Sequence, residues 1–477
     1  MDALLDAAER AAAGAAGEPF EPTVGRAASM LVNVPAYIAV DRSYLAQFRG
    51  DAEGTAAFAA QALAAIGEGE RLLDSVARWQ LAIAEWLGGR LAEAERAMVA
   101  GIARWQAADL LAVAAGAGYE LGQVQRARGR LDAAAQTCRR ALEITAVPGR
   151  PPPSTAGPAH IGLSELACER NEMEVALQHV TEGIALCRQW VYTTPLAAGL
   201  VTLAWIRQAA GDPAGALDAI GEAVGVAPGS PGLFNPVPAQ RARLLLAQGD
   251  LAAAAHWTKE CGLDADDELD YGREPGQLLL ARVLLAQGLP GQALALLDRL
   301  HAAAVTQDRT GSVIEAGALR ALALAASGQD AGAVTALAQA LTLACPQGYV
   351  RIFADEGKPM AALLGRLITA QQAGQAAAEV PLGCLARLQR AFDPGHAMPV
   401  PGRLPTGVVP GLVEPLTSRE LEVLGMLAVG RSNQAVAGEL VVTIDTVKKH
   451  VSHILDKLGT ANRTEAVSRA RELGLIP

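Results

Sequence analysis

The sequence predicts an all-α chain in two parts, a long array of helical hairpins and a small four-helix domain at its end. Three observations carry that expectation. Of 477 residues 51% are hydrophobic but only 4% aromatic, so the apolar content is mostly Ala, Leu and Val, which favours helices packed closely on small side chains. A turn residue recurs about every forty positions through most of the chain. A Pro- and Gly-rich stretch then separates the array from a segment with four sets of helix start and stop signals. The length suits two to four domains, and 49 Gly with 26 Pro, about one residue in six, suits many short helices.

The net charge of −10 argues against a chain that coats nucleic acid or membrane everywhere, so any basic face must be local. Cys138, Cys168, Cys187, Cys261, Cys345 and Cys384 lie far apart with no Cys-x-x-Cys pair. They are expected as buried thiols in a reducing cytoplasm, with neither a disulfide framework nor a zinc knuckle. Met1 to Gly17 carries Asp2, Asp6, Glu9 and Arg10 among alanines, which is not the pattern of a signal peptide. No run of about 18 apolar residues predicts a membrane span. A cytoplasmic chain without a membrane partner is expected.

The turn residues of the array are Gly50, Gly89, Gly129, Asn171, Gly211, Gly249, Gly288 and Gly328, at intervals of 38 to 42. Gly is the best residue for a left-handed helix end and Asn the next best. Five positions after each turn sits Ala94, Ala134, Ala176, Ala216, Ala254, Ala293 or Ala333, with Thr55 the exception. Twelve positions after it comes Ala62, Gly101, Ala141, Gly183, Ala223, Cys261 or Ala340, with Leu300 the exception. Small residues seven apart share a helix face and let a neighbouring helix approach. The unit is therefore a helical hairpin. Its spacing resembles the tetratricopeptide repeat, stretched from about 34 residues to about 40.

Eight such hairpins should stack from about residue 30 to residue 345 into a right-handed superhelix, each burying its face only against its neighbours. Pro228 and Pro346 should stop second helices, and residues 346–392 read as a helical extension capping the repeats. A superhelix of this kind offers a concave wall to an unknown small-molecule or protein effector. Trp79, Trp86, Trp105, Tyr119 and Trp205 lie in or near first helices, at a spacing that suits core packing better than a ligand wall.

Residues 393–415 carry six Pro and four Gly and read as a semi-extended linker. Beyond it, residues 416–477 are punctuated as four helices. Thr417-Ser418-Arg419-Glu420 is a capping box, with Leu416 and Leu421 as a hydrophobic staple. Leu421, Leu424, Leu427 and Ala428 form the buried stripe, and Gly430 ends the helix. Ser432 caps a second helix with Val436, Ala437 and Leu440 inward, and Thr443 caps a third that stops at Gly459. A short helix, a tight turn and a longer helix make a helix-turn-helix. In the third helix Val447, Val451, Ile454, Leu455 and Leu458 fall on one face. The other face places Lys448, Lys449 and Ser452 for base edges in the major groove, and Ser432, Thr446, His453, Lys457 and Arg463 for phosphates. Asn462 caps the last helix, whose apolar stripe is Val467, Ala470 and Leu473.

Arg and Lys balance Asp and Glu in this segment, so charge alone does not separate a DNA reader from a solvated bundle. The pattern Leu416-Thr417-x-Arg419-Glu420-x-Glu422-Val423-Leu424, Gly430-x-Ser432-Asn433, Thr446-Val447-Lys448-x-His450, Lys457-Leu458-Gly459 and Asn462-Arg463-Thr464-x-Ala466-Val467 resembles the LuxR-type DNA-binding domain. Thr443 stands where that family usually has Ser, and Thr460 where Val is common. The resemblance implies double-stranded promoter DNA as partner, a homodimer on DNA with its contact at Val467, Ala470 and Leu473, and RNA polymerase as a further partner.

The two halves together resemble the large ATP-binding regulators of the LuxR family, relatives of the maltose regulator MalT. Asn235-Pro236-Val237-Pro238-Ala239-Gln240-Arg241 and Gly348-Tyr349-Val350-Arg351-Ile352-Phe353-Ala354-Asp355-Glu356-Gly357 carry the likeness in the repeats. Such regulators begin with an ATPase domain, which is expected to be missing here. No Gly-x-x-x-x-Gly-Lys-Ser/Thr occurs, and the single Gly-Lys, Gly357-Lys358, is followed by Pro359. Met1 falls where a helix of a longer relative would be under way, so a shortened or truncated form is expected.

No enzyme, cofactor or metal is expected. His450-x-x-His453 is explained by the DNA-facing helix, and Asp264-Ala265-Asp266-Asp267-Glu268 lacks the spaced ligands of a calcium loop and reads as a solvated turn. The expected function is transcription regulation through promoter DNA. The alternative is an interaction scaffold whose terminal domain keeps weak or vestigial DNA affinity.

Overall fold

The computed structural model describes residues 33–392 and 418–472, apart from 68, 147–148, 190–192, 228–235, 376–377, 429–430, 440–443 and 461. Pro228, Thr443 and the linker fall outside the described residues. Among those described every regular element is helical, and no strand occurs. The chain divides into two compact units at residues 397 and 398.

Among the described residues the first unit contains eight hairpins. They are α1 (Val34–Phe48) with α2 (Ala52–Ala65), α3 (Arg71–Leu87) with α4 (Leu91–Ala107), α5 (Leu111–Ala127) with α6 (Leu131–Thr145), and α7 (Gly157–Glu169) with α8 (Met173–Gln189). There follow α9 (Thr193–Ala209) with α10 (Pro213–Val226), α11 (Val237–Ala247) with α12 (Leu251–Glu260), α13 (Glu274–Ala286) with α14 (Pro290–Thr306), and α15 (Thr310–Ala326) with α16 (Asp330–Ala344). Each of the eight turn residues has positive φ, from 61° at Asn171 to 93° at Gly249. In every one the next residue's N–H donates to the carbonyl five residues back, at 2.8–3.0 Å, as in Arg90 to Glu85 and Gln329 to Leu324. The left-handed residue thus closes the first helix and reverses the chain in two residues.

The small positions follow from packing. Thr55 and the seven alanines five residues after the turns are all fully buried. At the twelfth position a Cβ on Gly101 would lie 3.1 Å from the Trp79 ring, and one on Gly183 would lie 2.6 Å from Ile161 Cδ1. Trp79, Trp86, Trp105 and Tyr119 are buried, and the rings of Trp79 and Trp105 lie 4.8 Å apart, so these aromatics are mainly core. Cys261 breaks the pattern. It is exposed, because α12 ends one residue before it.

The expectation that each hairpin packs only on its neighbours needs correction. The third hairpin meets the eighth. A Cβ on Gly311, at the start of α15, would lie 2.9 Å from the Ala127 carbonyl at the end of α5, so only Gly allows that approach. Arg128 Nη2 pairs with Asp308 at 2.5 Å. Beyond α16 come α17 (Arg351–Ala354), α18 (Gly357–Gln372) and α19 (Leu382–Ala391). The lead into α17 docks on the third and fourth hairpins. Tyr349 Oη donates to the Arg126 carbonyl at 3.3 Å, Val350 N–H to the Glu169 carbonyl at 3.0 Å, and Ile352 N–H to Glu169 Oε1 at 3.0 Å. The array closes on itself.

A second correction concerns the cysteines. Cys345 and Cys384 form a disulfide with Cα atoms 5.8 Å apart, tying α19 to the end of the array. Closing its 39-residue loop is worth about 4 kcal/mol by chain entropy. Cys138, Cys168 and Cys187 remain buried thiols, each pushed up to about 12 by burial, which leaves them unreactive.

Two glycines separate packing from backbone freedom. Gly183→Ala should destabilise the chain by about 1–3 kcal/mol through collision with Ile161. Gly221→Ala, on α10 with nothing within 4 Å of the new methyl, should stabilise by about 0.5–1 kcal/mol. Urea midpoints of the two variants check both signs.

Candidate nucleic-acid interface and inner cavity

The second unit contains α20 (Ser418–Ala428), α21 (Asn433–Glu439), α22 (Ile444–Leu458) and α23 (Arg463–Glu472). Its core is Val423, Leu424, Leu427, Val436, Ala437, Val447, Ile454, Leu458, Ala466 and Ala470, all buried. Ser432 caps α21 by accepting the Ala435 N–H at 3.2 Å. Asn462 caps α23 reciprocally, its Oδ1 accepting the Glu465 N–H at 3.0 Å while its Nδ2 donates to Glu465 Oε1 at 2.7 Å.

Burying Val447, Ile454 and Leu458 turns the opposite face of α22 outward. Lys448, Lys449 and Ser452 are exposed on that face, and His453 stands 63% exposed beside them. Thr446 lies on the same helix, but its side chain is outside the described residues.

Two cations expected on the DNA backbone have partners inside the domain. Lys457 Nζ donates to Glu420 Oε2 at 2.9 Å, with both side chains largely buried, and His453 Nδ1 lies 3.8 Å from the other Glu420 oxygen. Arg463 Nη2 donates to the Leu427 and Arg431 carbonyls at 3.1 and 2.6 Å, so it closes the C-terminal end of α20. Among the residues expected at a dimer contact, Ala470 is fully buried in the domain's own core, Val467 is half-buried against it, and Leu473 lies outside the described residues. Ala470 therefore has no surface to offer a partner. The Thr460 hydroxyl is buried without a hydrogen-bond partner among the described residues, at the position where the LuxR-type domain commonly has Val.

The closed array surrounds a cavity of about 260 Å³ whose wall includes Trp86, Arg126, Glu169, Arg243, Tyr271 and Tyr349. Most of its charges are paired. Arg126 holds Glu165 at 3.1 Å, Arg282 bridges Glu315 and Glu356 at 2.7 Å each, and Arg309 holds Glu274. Sequence reading missed this wall, because each pair joins residues more than thirty positions apart. Elsewhere the acidic run 264–268 is a turn tied to itself and to Arg299, which donates to the Ala265 carbonyl at 2.7 Å. Among the described residues no group of His, Cys, Asp and Glu is placed to hold a metal, and no helix is long and apolar enough to cross a membrane.

Residues 36–370 match the family described as the MalT-like TPR region. The chain belongs to that family. Residues 414–470 match the bacterial regulatory proteins of the luxR family, which covers the helix-turn-helix unit. The HTH-type transcriptional regulator MalT of Klebsiella pneumoniae is 38% identical over 156 residues, 31% of this chain and 17% of that protein. MalT of Yersinia enterocolitica is 31% identical over 238 residues, 47% of this chain and 26% of that protein. The chain thus covers about a quarter or less of these relatives' length. A solved Rap protein, complexed with competence and sporulation factor, is similar over 75% of this chain with a TM-score of 0.47 and 12% identity.

Three substitutions separate support from display in the terminal unit. Lys457→Ala leaves the Glu420 carboxylate buried without its cation and should cost about 3 kcal/mol. Lys448→Ala should stay within about 0.5 kcal/mol, and Thr460→Val should stabilise by about 1 kcal/mol. Hydrogen exchange of the Ile454 to Leu458 amides in the full chain reads all three.

Proposed function

We propose that the chain is a DNA-binding transcription regulator that acts in the cytoplasm, without catalysis or a cofactor. In this reading the helical array is a sensor, the Pro-rich segment a tether, and residues 416–477 the promoter-binding domain. Lys448, Lys449 and Ser452 contact base edges, while Ser432, Thr446 and His453 contact phosphates. Lys457 and Arg463 serve the interface indirectly, by holding α22 and α20 in place. A homodimer on paired half-sites, RNA polymerase as a further partner, and a small effector in the inner cavity complete the proposal.

The observation that carries it is the exposed face of α22. Two lysines lie in the N-terminal half of the helix, the half that enters a major groove when a helix-turn-helix docks, and a serine follows just past its midpoint. The luxR-family match over 414–470 supports the same use. A scaffold with weak DNA affinity draws support from one fact, that two of the domain's cations are already paired internally.

Selection from random duplex DNA with the full chain should return a defined operator. Lys448→Ala and Lys449→Ala should each weaken binding to it by about 1–3 kcal/mol, with unchanged helix content. Wild-type affinity in the Lys448/Lys449 double variant would reject the docking, and recovery of no preferred sequence would favour the scaffold.

A further inference from the structure

Two charged side chains on the cavity wall keep binding capacity that their neighbours have used. Arg243, on α11, stacks over the Trp205 ring with its Cζ 4.8 Å from the centroid. Its ion-pair partner among the described residues is Glu356, at 3.6 Å and beyond hydrogen-bond distance, and Glu356 already holds Arg282 at 2.7 Å. Its charge also reaches Glu315 and Glu169. The guanidinium is thus ion-paired with Glu356, but no hydrogen bond among the described residues occupies its planar fork of N–H donors. Glu169, at the end of α7, accepts the Ile352 N–H on Oε1, and no cation lies within ion-pair distance of it among the described residues. Arg126, whose charge also acts on Glu169, is engaged by Glu165. Asp355 is likewise engaged by Arg351, and Glu274 by Arg309.

The wall thus offers one place for an anion and one for a cation, on two different hairpins, with the Trp86 and Tyr271 side chains also lining it. A volume of about 260 Å³ falls just under the range of about 300–1,000 Å³ typical of drug-sized ligands. We propose that the cavity binds a zwitterionic amino compound the size of an amino acid or dipeptide, its carboxylate held by the Arg243 fork and its ammonium by Glu169. A carboxylate fits a guanidinium in bidentate fashion, and an ammonium supplies a cation at the ion-pair distance that Arg126 and Arg243 do not reach. Burial pushes the Glu169 carboxyl up to about 7, so a cation brought beside it meets a group not yet stabilised as its anion. This assignment rests on the reading of the cavity as the effector site and names the chemistry of that effector.

Calorimetric titration of the full chain with the twenty free amino acids and a panel of dipeptides tests it. At least one compound should bind, and N-acetylation or C-amidation of that compound should each weaken binding by about tenfold or more. The variants should shift these penalties selectively. Glu169→Gln, which keeps an acceptor for the Ile352 N–H, should lose the discrimination against the acetylated form. Arg243→Met should lose the discrimination against the amide. Circular dichroism of both variants confirms that the fold is retained.

No binder in the whole set, or a binder whose blocked forms bind equally well, overturns the proposal. So does a ligand-independent loss of stability in both variants with no zwitterion effect in the parent chain, because it makes Arg243 and Glu169 a structural pair. Operator affinity measured with and without the binder tests the regulatory reading separately. A bound zwitterion that leaves operator affinity unchanged removes the effector role and leaves the site standing.

Discussion

The N–H groups of Val350 and Ile352 find their acceptors on Glu169, 183 residues before Ile352, and the rest of the first unit depends on that junction. Both donors stand at the start of α17, where a helix has no partners of its own for its first N–H groups. Left buried and unpaired they would cost about 1–3 kcal/mol each. Satisfying them across the array draws the end of the eighth hairpin against the third and fourth, and Tyr349 is buried in the same step. The exposed ion pairs nearby, such as Arg128 with Asp308, are worth only about 0–1 kcal/mol. Backbone pairing and apolar burial hold the closure.

Closure changes what a repeat array can do. An open superhelix is stabilised by nearest-neighbour contacts alone, and loss of one hairpin leaves the others paired. Here the first and last thirds share an interface, so the cavity wall is assembled from hairpins distant in sequence. Anything that binds only the closed form favours it by mass action. Arg243 and Glu169 stand on different hairpins, so a compound that bridged them would act on the closure itself.

The eight turns and the small residues after them were legible in the sequence because their causes are local. A positive φ calls for Gly or Asn, and a helix that approaches another closely calls for Ala or Gly. The caps at Ser432 and Asn462 and the core stripe of α22 were legible for the same reason. What escaped the sequence depends on pairing across long separations. The Glu420 carboxylate fits a capping box by spacing, yet its ion-pair partner is Lys457, 37 residues on. Cys345 and Cys384 look unrelated until the extension folds back and brings their Cα atoms within 5.8 Å. The run from Gly348 to Gly357 stood out as a likeness to a family, and nothing in its periodicity told that it meets residues 126 to 171.

Amide hydrogen exchange resolved at Val350 and Ile352 in the full chain tests the closure most directly. Protection comparable to that of the buried mid-helix amides of α15 and α16 is the expected result, since the opening that frees them must separate the eighth hairpin from the fourth. Exchange as fast as that of an exposed loop at both positions, with α15 and α16 still protected, would show an open array and contradict the closure.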